Sequence, residues 1–308
     1  MRDYMKKIIQ KAETLLEALP FIKIFHGKTV VIKYGGSAMV SDNLKESFAL
    51  DVVMMKYTGI NVIIVHGGGP QIGDTLEMFG IKSNFIDGHR VTSKEMIDIV
   101  EMVLGGKVNK DIVSLINRHG GNAVGITGKD GDLISAQKMR VKKISPETNL
   151  PEIIDLGLVG EIKHIKTKIL QTLEKSGFIP VVAPLGKGMD GETLNINADF
   201  VASEIASALH AEKLILMTDT EGVKGKDNVL LSELTRKKSL KLIKDKVIKN
   251  GMLPKVNCCL DALKNGVKKT HIIDGRIKHA VLLEIFTKEG IGTQIIEGWP
   301  VRGKTIDP

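Results

Sequence analysis

Two β-branched runs that each end in a glycine cluster constrain this chain most. Residues 29–36 read TVVIKYGG and residues 61–69 read NVIIVHGGG. Short continuous apolar runs suit strands covered on both faces, and the intervening LKESFALDVVMMKYTG reads as a helix. Further strand-like runs, FIPVVAPLG, KLILMTDTEGV and THIIDG, alternate with helical DFVASEIASALHA and PKVNCCLDALKNG. The stretch SKEMIDIVEMVLGGKVNKDIVSLINRHG reads as two helices, and residues 130–160 as irregular or hairpin-like. Sustained strand–helix alternation predicts an α/β fold with a mostly parallel sheet and helices on both faces. A break near Ala183–Gly188 divides the chain into two lobes sharing that sheet.

In such sheets ligands bind beyond the carboxyl ends of strands, where both glycine clusters fall. Glycine admits positive φ and lets a ligand approach the backbone closely. A helix starting at SDNLKESF or at PQIGDTLEMF adds free N–H groups and a positive dipole end. Neither cluster fits the nucleotide motifs GxxxxGK[ST] or GxGxxG. For a lone cluster a plain strand–helix turn is the default; two at matching strand ends, one beside Lys33, argue for an anion site.

Composition supports small anions as partners. The formal net charge is +8, most of the excess from lysine. The basic residues are dispersed, without an arginine-rich run or interleaved aromatics, which disfavours nucleic acid; solubility alone also accounts for such a charge. The only two cysteines, Cys258 and Cys259, are adjacent and cannot staple a fold, so a reducing cytoplasm is expected. The opening MRDYMKKIIQKAE is charged throughout, unlike a signal peptide, and no apolar run reaches the roughly 18 residues of a membrane span.

Several polar residues sit at element junctions. Lys33 lies two residues before Gly35, and Lys255 lies at a helix start marked by Gly251 and Pro254. Asn195, Asn197 and Asp199 alternate in TLNINADFVASEIASAL, so an extended segment sets them on one face, although one can serve as helix cap. Arg90, in IDGHRVTSKEM, can grip a carboxylate through two N–H groups, or make a surface ion pair. Residues 4–19 carry Tyr4, Met5, Ile8, Ile9, Leu15 and Leu16 at helical spacing up to Pro20. That helix either packs on its own domain or is exchanged with another subunit. The lysine-rich stretch 225–250 reads as mobile or solvated.

As an ordered set, KYGGSAM, VHGGGPQIG, DGHRVT, LNINAD and GMLPKVN resemble the amino-acid kinase family, and within it the branch that phosphorylates N-acetyl-L-glutamate. The resemblance runs from about residue 20 to the C-terminus and implies an open three-layer αβα sandwich with a central, mainly parallel sheet. It implies an acceptor-binding lobe at residues 21–183 and an ATP-binding lobe at residues 184–308. The implied reaction is ATP plus N-acetyl-L-glutamate to ADP plus the 5-phosphate, a step of arginine synthesis. Carried over, Lys33 and Lys255 stabilise the transferring phosphoryl group, and Asp199 holds both. Gly36, Gly68 and Gly69 offer N–H groups, Arg90 and Asn195 bind the acceptor, Asn197 supports the same wall, and Gly222 lies in the nucleotide loop. Magnesium comes with ATP, and no direct protein ligand is named for it.

Members inhibited by arginine resemble this chain in an extra N-terminal helix, here residues 1–20, which joins three dimers into a hexamer. By the same resemblance Lys23, Lys213, His279, Glu284, Gly290 and Gly292 are effector-site candidates. Two alternatives stand beside this reading: a kinase of carrier-bound 2-aminoadipate, and a non-catalytic ATP or arginine sensor. Arg90 disfavours the first, and the retained pair of lysines with Asp199 disfavours the second.

Overall fold

A computed structural model describes residues 2–86, 88–144 and 151–298. Its centre is an eight-stranded sheet in the order β12-β14-β13-β11-β1-β2-β8-β5. These strands are β1 (Thr29–Tyr34), β2 (Asn61–His66), β5 (Ala123–Thr127), β8 (Ile179–Ala183), β11 (Lys213–Thr218), β12 (Glu233–Thr235), β13 (Lys269–Asp274) and β14 (Thr293–Ile296). Only the β13–β14 pairing is antiparallel. Five successive residues are buried in each of β1 and β2, so both faces of the sheet are covered. The expected mainly parallel α/β architecture is what the chain adopts.

The covering helices are α3 (Asp42–Tyr57), α4 (Gly69–Met78), α5 (Lys94–Glu101), α6 (Asn109–Arg118), α7 (Lys168–Lys175), α8 (Ala198–Ala208), α9 (Arg236–Lys244), α10 (Met252–Lys264) and α11 (Ala280–Phe286). α8 packs over β1, β2 and β11, while α6 packs over β5 and β8 and against α3. The region read as hairpin-like is a long antiparallel pair, β6 (Ile134–Ile144) and β7 (Pro151–Ile165). With β9 (Leu185–Lys187) and β10 (Thr193–Asn195) it closes a small four-stranded barrel beside the sheet. A two-stranded ribbon, β3 (Phe85–Ile86) and β4 (His89–Arg90), precedes α5.

Two expectations need correction. Pro20 does not end the helical pattern. α1 (Arg2–Glu17) stops first, and Pro20 sits in the first turn of α2 (Leu19–Phe25), where its missing N–H costs nothing. The stretch 94–118 is not two separate helices, because a π-helical segment, Met102–Val108, joins α5 to α6 without a break. Gly105 and Gly106 lie in that segment, where the extra residue per turn is accommodated. The lysine-rich 225–250 region is folded into β12 and α9 with Ser239 buried, while Lys237, Lys238, Lys241 and Lys244 are exposed as the solvated reading expects. The helix expected at SDNLKESF is α3, with Ser41 as its N-cap, and a 3₁₀ turn, Gly36–Met39, links it to the first glycine cluster.

From Tyr4 to Glu17 α1 is exposed, with Tyr4 69 % and Leu15 71 % accessible, so it does not pack on its own domain. Among the described residues no helix is long and apolar enough to cross a membrane.

Candidate active site

β1 and β2 run parallel with Lys33 beside Val65 and Tyr34 beside His66, so both strands leave the sheet at one level. The Gly67 N–H donates to the Tyr34 carbonyl at 2.8 Å, and a Cβ on Gly67 would lie 3.8 Å from the Gly35 Cα. The two glycine turns therefore lie against each other. Gly35 lies against Lys33: a Cβ there would stand 2.9 Å from the Lys33 Nζ, so the ammonium would have to move aside. Gly68 is required by packing, since its Cβ would meet Leu104 of the π segment at 2.6 Å. Gly36 has φ +67, a conformation that favours glycine. Gly69 opens α4, whose first-turn N–H groups have no intrahelical acceptor and face outward with the helix's positive end.

Asp199 is the second residue of α8 and is 7 % exposed. Its Oδ2 accepts from Lys255 Nζ at 2.6 Å, and its Oδ1 meets Lys33 Nζ at 3.2 Å as an ion pair rather than an aligned hydrogen bond. Burial by itself would raise the Asp199 carboxyl, but the two ammonium groups outweigh it and hold the carboxyl below its ordinary value. Lys33 comes from the end of β1 and Lys255 from the first turn of α10. The Ser203 hydroxyl donates to the Cys258 carbonyl at 2.9 Å, locking α8 to α10 one turn beyond the clamp. The structure thus brings together two lysines separated by more than two hundred positions.

Asn195, Asn197 and Asp199 do not share one extended face. β10 ends at Asn195, and Asn197 caps α8 by accepting the Asp199 N–H at 2.8 Å. The Asn195 amide donates to Thr92 Oγ1 at 3.2 Å, and that hydroxyl donates to the Arg90 carbonyl at 2.9 Å. The Arg90 guanidinium donates to the Gly69 carbonyl at 2.8 Å and to Ser83 Oγ, and stacks 4.6 Å from the centre of the Phe85 ring. Arg90 and Asn195 are therefore joined through Thr92 along one wall that abuts the second glycine turn.

On the other side of β1, beyond the ends of β11 and β13, lies a cleft of about 390 Å³. Gly222, Asp219, Val223, Lys249, Met252 and Arg276 line it, and Met252 opens the helix that carries Lys255. A Cβ on Gly222 would stand 2.6 Å from Thr293 Oγ1, so glycine is needed there for close packing as well.

The effector candidates divide. Lys213 is buried on β11, 3.2 Å from His271 Nε2 and 4.9 Å from the centre of the Phe25 ring at the end of α2. His271 Nδ1 pairs with Glu284 Oε1 at 2.6 Å, and Glu284 Oε2 accepts the N–H groups of Ile291 and Gly292 at 2.7 and 3.1 Å. Lys213, Glu284 and Gly292 thus form one buried network. Gly290 joins its edge, donating to Thr287 Oγ1 at 3.1 Å, and Lys23 is exposed on α2. His279 belongs elsewhere, paired with Asp51 of α3 at 2.6 Å. Glu284, one of the effector candidates, is thus already engaged by His271 and by backbone N–H groups.

Two residues near the turns escape the sequence reading. His66, fully buried, contacts the Gly67 carbonyl at 2.7 Å and the Asn109 amide at 3.2 Å. His66 was visible as the polar last residue of an apolar strand, whereas nothing in the local sequence marks Asn109.

A profile of the amino acid kinase family matches residues 28–274. The acetylglutamate kinase of Syntrophobacter fumaroxidans is 58 % identical over 289 residues, spanning 94 % of this chain and 97 % of that protein. The acetylglutamate kinase of Geobacter sp. (strain M21) is 55 % identical over 291 residues, spanning 94 % and 99 %. Among solved structures, N-acetylglutamate synthase from Neisseria gonorrhoeae, complexed with coenzyme A and N-acetyl-glutamate, superposes with a TM-score of 0.81 at 23 % identity. It covers 94 % of this chain and 64 % of that one. Carbamate kinase from Giardia lamblia bound to AMP-PNP superposes at 0.64 with 17 % identity, over 88 % and 99 %. The two structures share the fold, and the sequence relatives narrow it further: the chain belongs to the amino acid kinase family, alongside those acetylglutamate kinases.

Proposed function

We infer that the protein transfers the γ-phosphoryl group of ATP to the side-chain carboxylate of N-acetyl-L-glutamate. The clamp of Lys33, Asp199 and Lys255 beside paired glycine turns carries this reading. The acceptor carboxylate is ionised at neutral pH, so its oxygen attacks the γ-phosphorus without a base. The bond from that phosphorus to the bridging oxygen breaks, and its electron pair leaves with ADP. The obstacles are repulsion between anions and alignment of the two oxygens.

Each part of the site answers one obstacle. Lys33 and Lys255 place positive charge on the oxygens in flight, and Asp199 keeps both ammonium groups there. The N–H groups of Gly36, Gly68 and Gly69 act as pre-aligned donors to phosphoryl and acceptor oxygens. Arg90, with Asn195, grips the acceptor; Asn197 keeps Asp199 in place by capping α8. The cleft at Gly222 suits the nucleotide. On this reading residues 21–183 form the acceptor lobe and 184–308 the ATP lobe, with β1 and β11 adjacent at their seam.

Magnesium would be held chiefly by the ATP phosphates and would neutralise charge on them. Among the described residues no three His, Cys, Asp or Glu side chains cluster for a metal, and the Asp199 oxygens face lysines. The reading sets the enzyme in the cytoplasm, where the two buried free thiols are at home. It includes inhibition by arginine, near Phe25, Lys213 and Gly292, and assembly of dimers into a hexamer through the exposed α1.

The test is ADP release with N-acetylglutamate, glutamate, aspartate and 2-aminoadipate. Turnover with N-acetylglutamate at least ten times that with the others is expected; equal or higher turnover with another acceptor would overturn the assignment.

A further inference from the structure

We propose that His66 is a positioning residue that fixes the direction of the Gly68 N–H by holding the Gly67 carbonyl. The proposal rests on the reading of the glycine turn as the phosphoryl site, but the lock has its own geometry.

His66 ends β2 and is wholly buried, so no substrate reaches it and it takes no part in the chemistry directly. Its Nε2 lies 3.2 Å from the Asn109 Nδ2, and a side-chain NH₂ only donates. Nε2 therefore accepts, the ring proton sits on Nδ1, and Nδ1–H donates to the Gly67 carbonyl at 2.7 Å. The Asn109 amide cannot be reversed without setting its oxygen against the Val181 carbonyl: one Nδ2 hydrogen goes to that carbonyl at 2.9 Å and the other to Nε2, the Ile126 carbonyl at 3.4 Å being the longest of the three contacts. Its Oδ1 accepts from Lys110 Nζ at 3.1 Å. Burial pushes the imidazole down to about 4, so the ring is neutral in the working range.

A trans peptide sets its C=O and N–H in opposite directions. Holding the Gly67 oxygen inward therefore aims the Gly68 N–H away from the imidazole. The hold is needed because this peptide joins two glycines, and without Cβ groups on either side it can turn over at little steric cost. The remaining parts serve the same lock. The π segment brings Asn109 over β2, β5 and β8, and Gly125 leaves it room, since a Cβ there would stand 1.8 Å from Asn109 Oδ1. One histidine, through Asn109, thus ties the turn's peptide plane to the neighbouring strands β5 and β8.

The experiment compares His66→Asn, His66→Gln and His66→Leu in the full chain. The Asn amide nitrogen occupies the Nδ1 position and keeps the donor; Gln and Leu do not. His66→Leu and His66→Gln should lose on the order of 10- to 100-fold in kcat with KM changed less than about threefold. His66→Asn should recover most of kcat. A folded His66→Leu with native kcat, or His66→Asn no better than the other two at equal melting temperature, would overturn the proposal. The second measurement is ¹⁵N NMR of the imidazole in the native protein without substrate. A neutral ring protonated on Nδ1 between about pH 5 and 9 is expected. Protonation on Nε2, or a charged ring at neutral pH, overturns the lock even if no variant folds. Native protein with the expected tautomer but no acetylglutamate-dependent ADP release would sink the functional reading and leave the lock standing.

Discussion

Replacing Asp199 by Asn removes one negative charge and almost no volume from the centre of the site. The carboxylate meets Lys255 Nζ at 2.6 Å and Lys33 Nζ at 3.2 Å, with the three side chains 9 %, 20 % and 11 % exposed, so solvent screens the pairs weakly. At an effective dielectric constant of about 20, each pair is worth roughly 5 kcal/mol before desolvation is counted. The variant leaves two ammonium groups repelling each other with no counter-charge between them. Both border the cleft and can swing toward water, so the loss of stability should be about 1–3 kcal/mol, below the usual cost of breaking a buried pair.

The effect on turnover should be larger, because the lysines lose their alignment with the phosphoryl oxygens. A fall in kcat on the order of 10²- to 10³-fold is expected, with KM for ATP changed only a few-fold, since the triphosphate supplies anionic charge of its own. Steady-state ADP release gives both constants. Asp199→Asn combined with Lys255→Met should cost far less than the product of the single effects, because one arrangement is being broken twice. Asp199→Asn within fivefold of native kcat, or fully additive losses, would refute the reasoning. The pH dependence has a definite sign. With the folded carboxyl held below its ordinary value, its contribution is complete above about pH 4 and is lost as pH falls through the folded value. Native protein and Asp199→Asn should therefore converge in stability in acid.

Lys33→Ala and Lys255→Ala should each lower turnover at least 100-fold while nucleotide binding by calorimetry changes much less; near-normal turnover in both would remove the assigned role. Gly35→Ala would place a Cβ 2.9 Å from the Lys33 Nζ, a flexible end, so kcat should drop about 10- to 100-fold with under about 1 kcal/mol lost in denaturant unfolding. Deleting residues 1–20 should leave a folded dimer by light scattering with weakened arginine inhibition, because α1 is exposed from Tyr4 to Glu17; full arginine sensitivity in that dimer counts against the proposal. Burial pushes the Cys258 thiol well up and the Cys259 thiol to about 12, so neither should react with a thiol reagent at pH 8 until the protein unfolds, when both should.

The buried runs at β1 and β2, the glycines ending them and the helical spacing between them were legible because period and turn chemistry are local properties. The order of motifs placed the catalytic candidates as well. The π segment was not legible: residues 94–118 keep one helical period, and the extra residue per turn shows only in the backbone. Pro20 misled for a related reason, since proline marks a helix start as well as an end. That one of Asn195, Asn197 and Asp199 caps a helix was legible, but the angle at which α8 begins decided that it is Asn197.

The sequence by itself determined which residues can bear charge or bare N–H groups, and that they stand at strand ends and helix starts. Tertiary structure alone decided that Lys33 and Lys255 converge on Asp199, that Glu284 is taken by His271, and that Asn109 reaches His66. Each is a contact between distant positions, set by sheet order and helix register. Short-range periodicity carries no information about which carboxylate a distant lysine will meet.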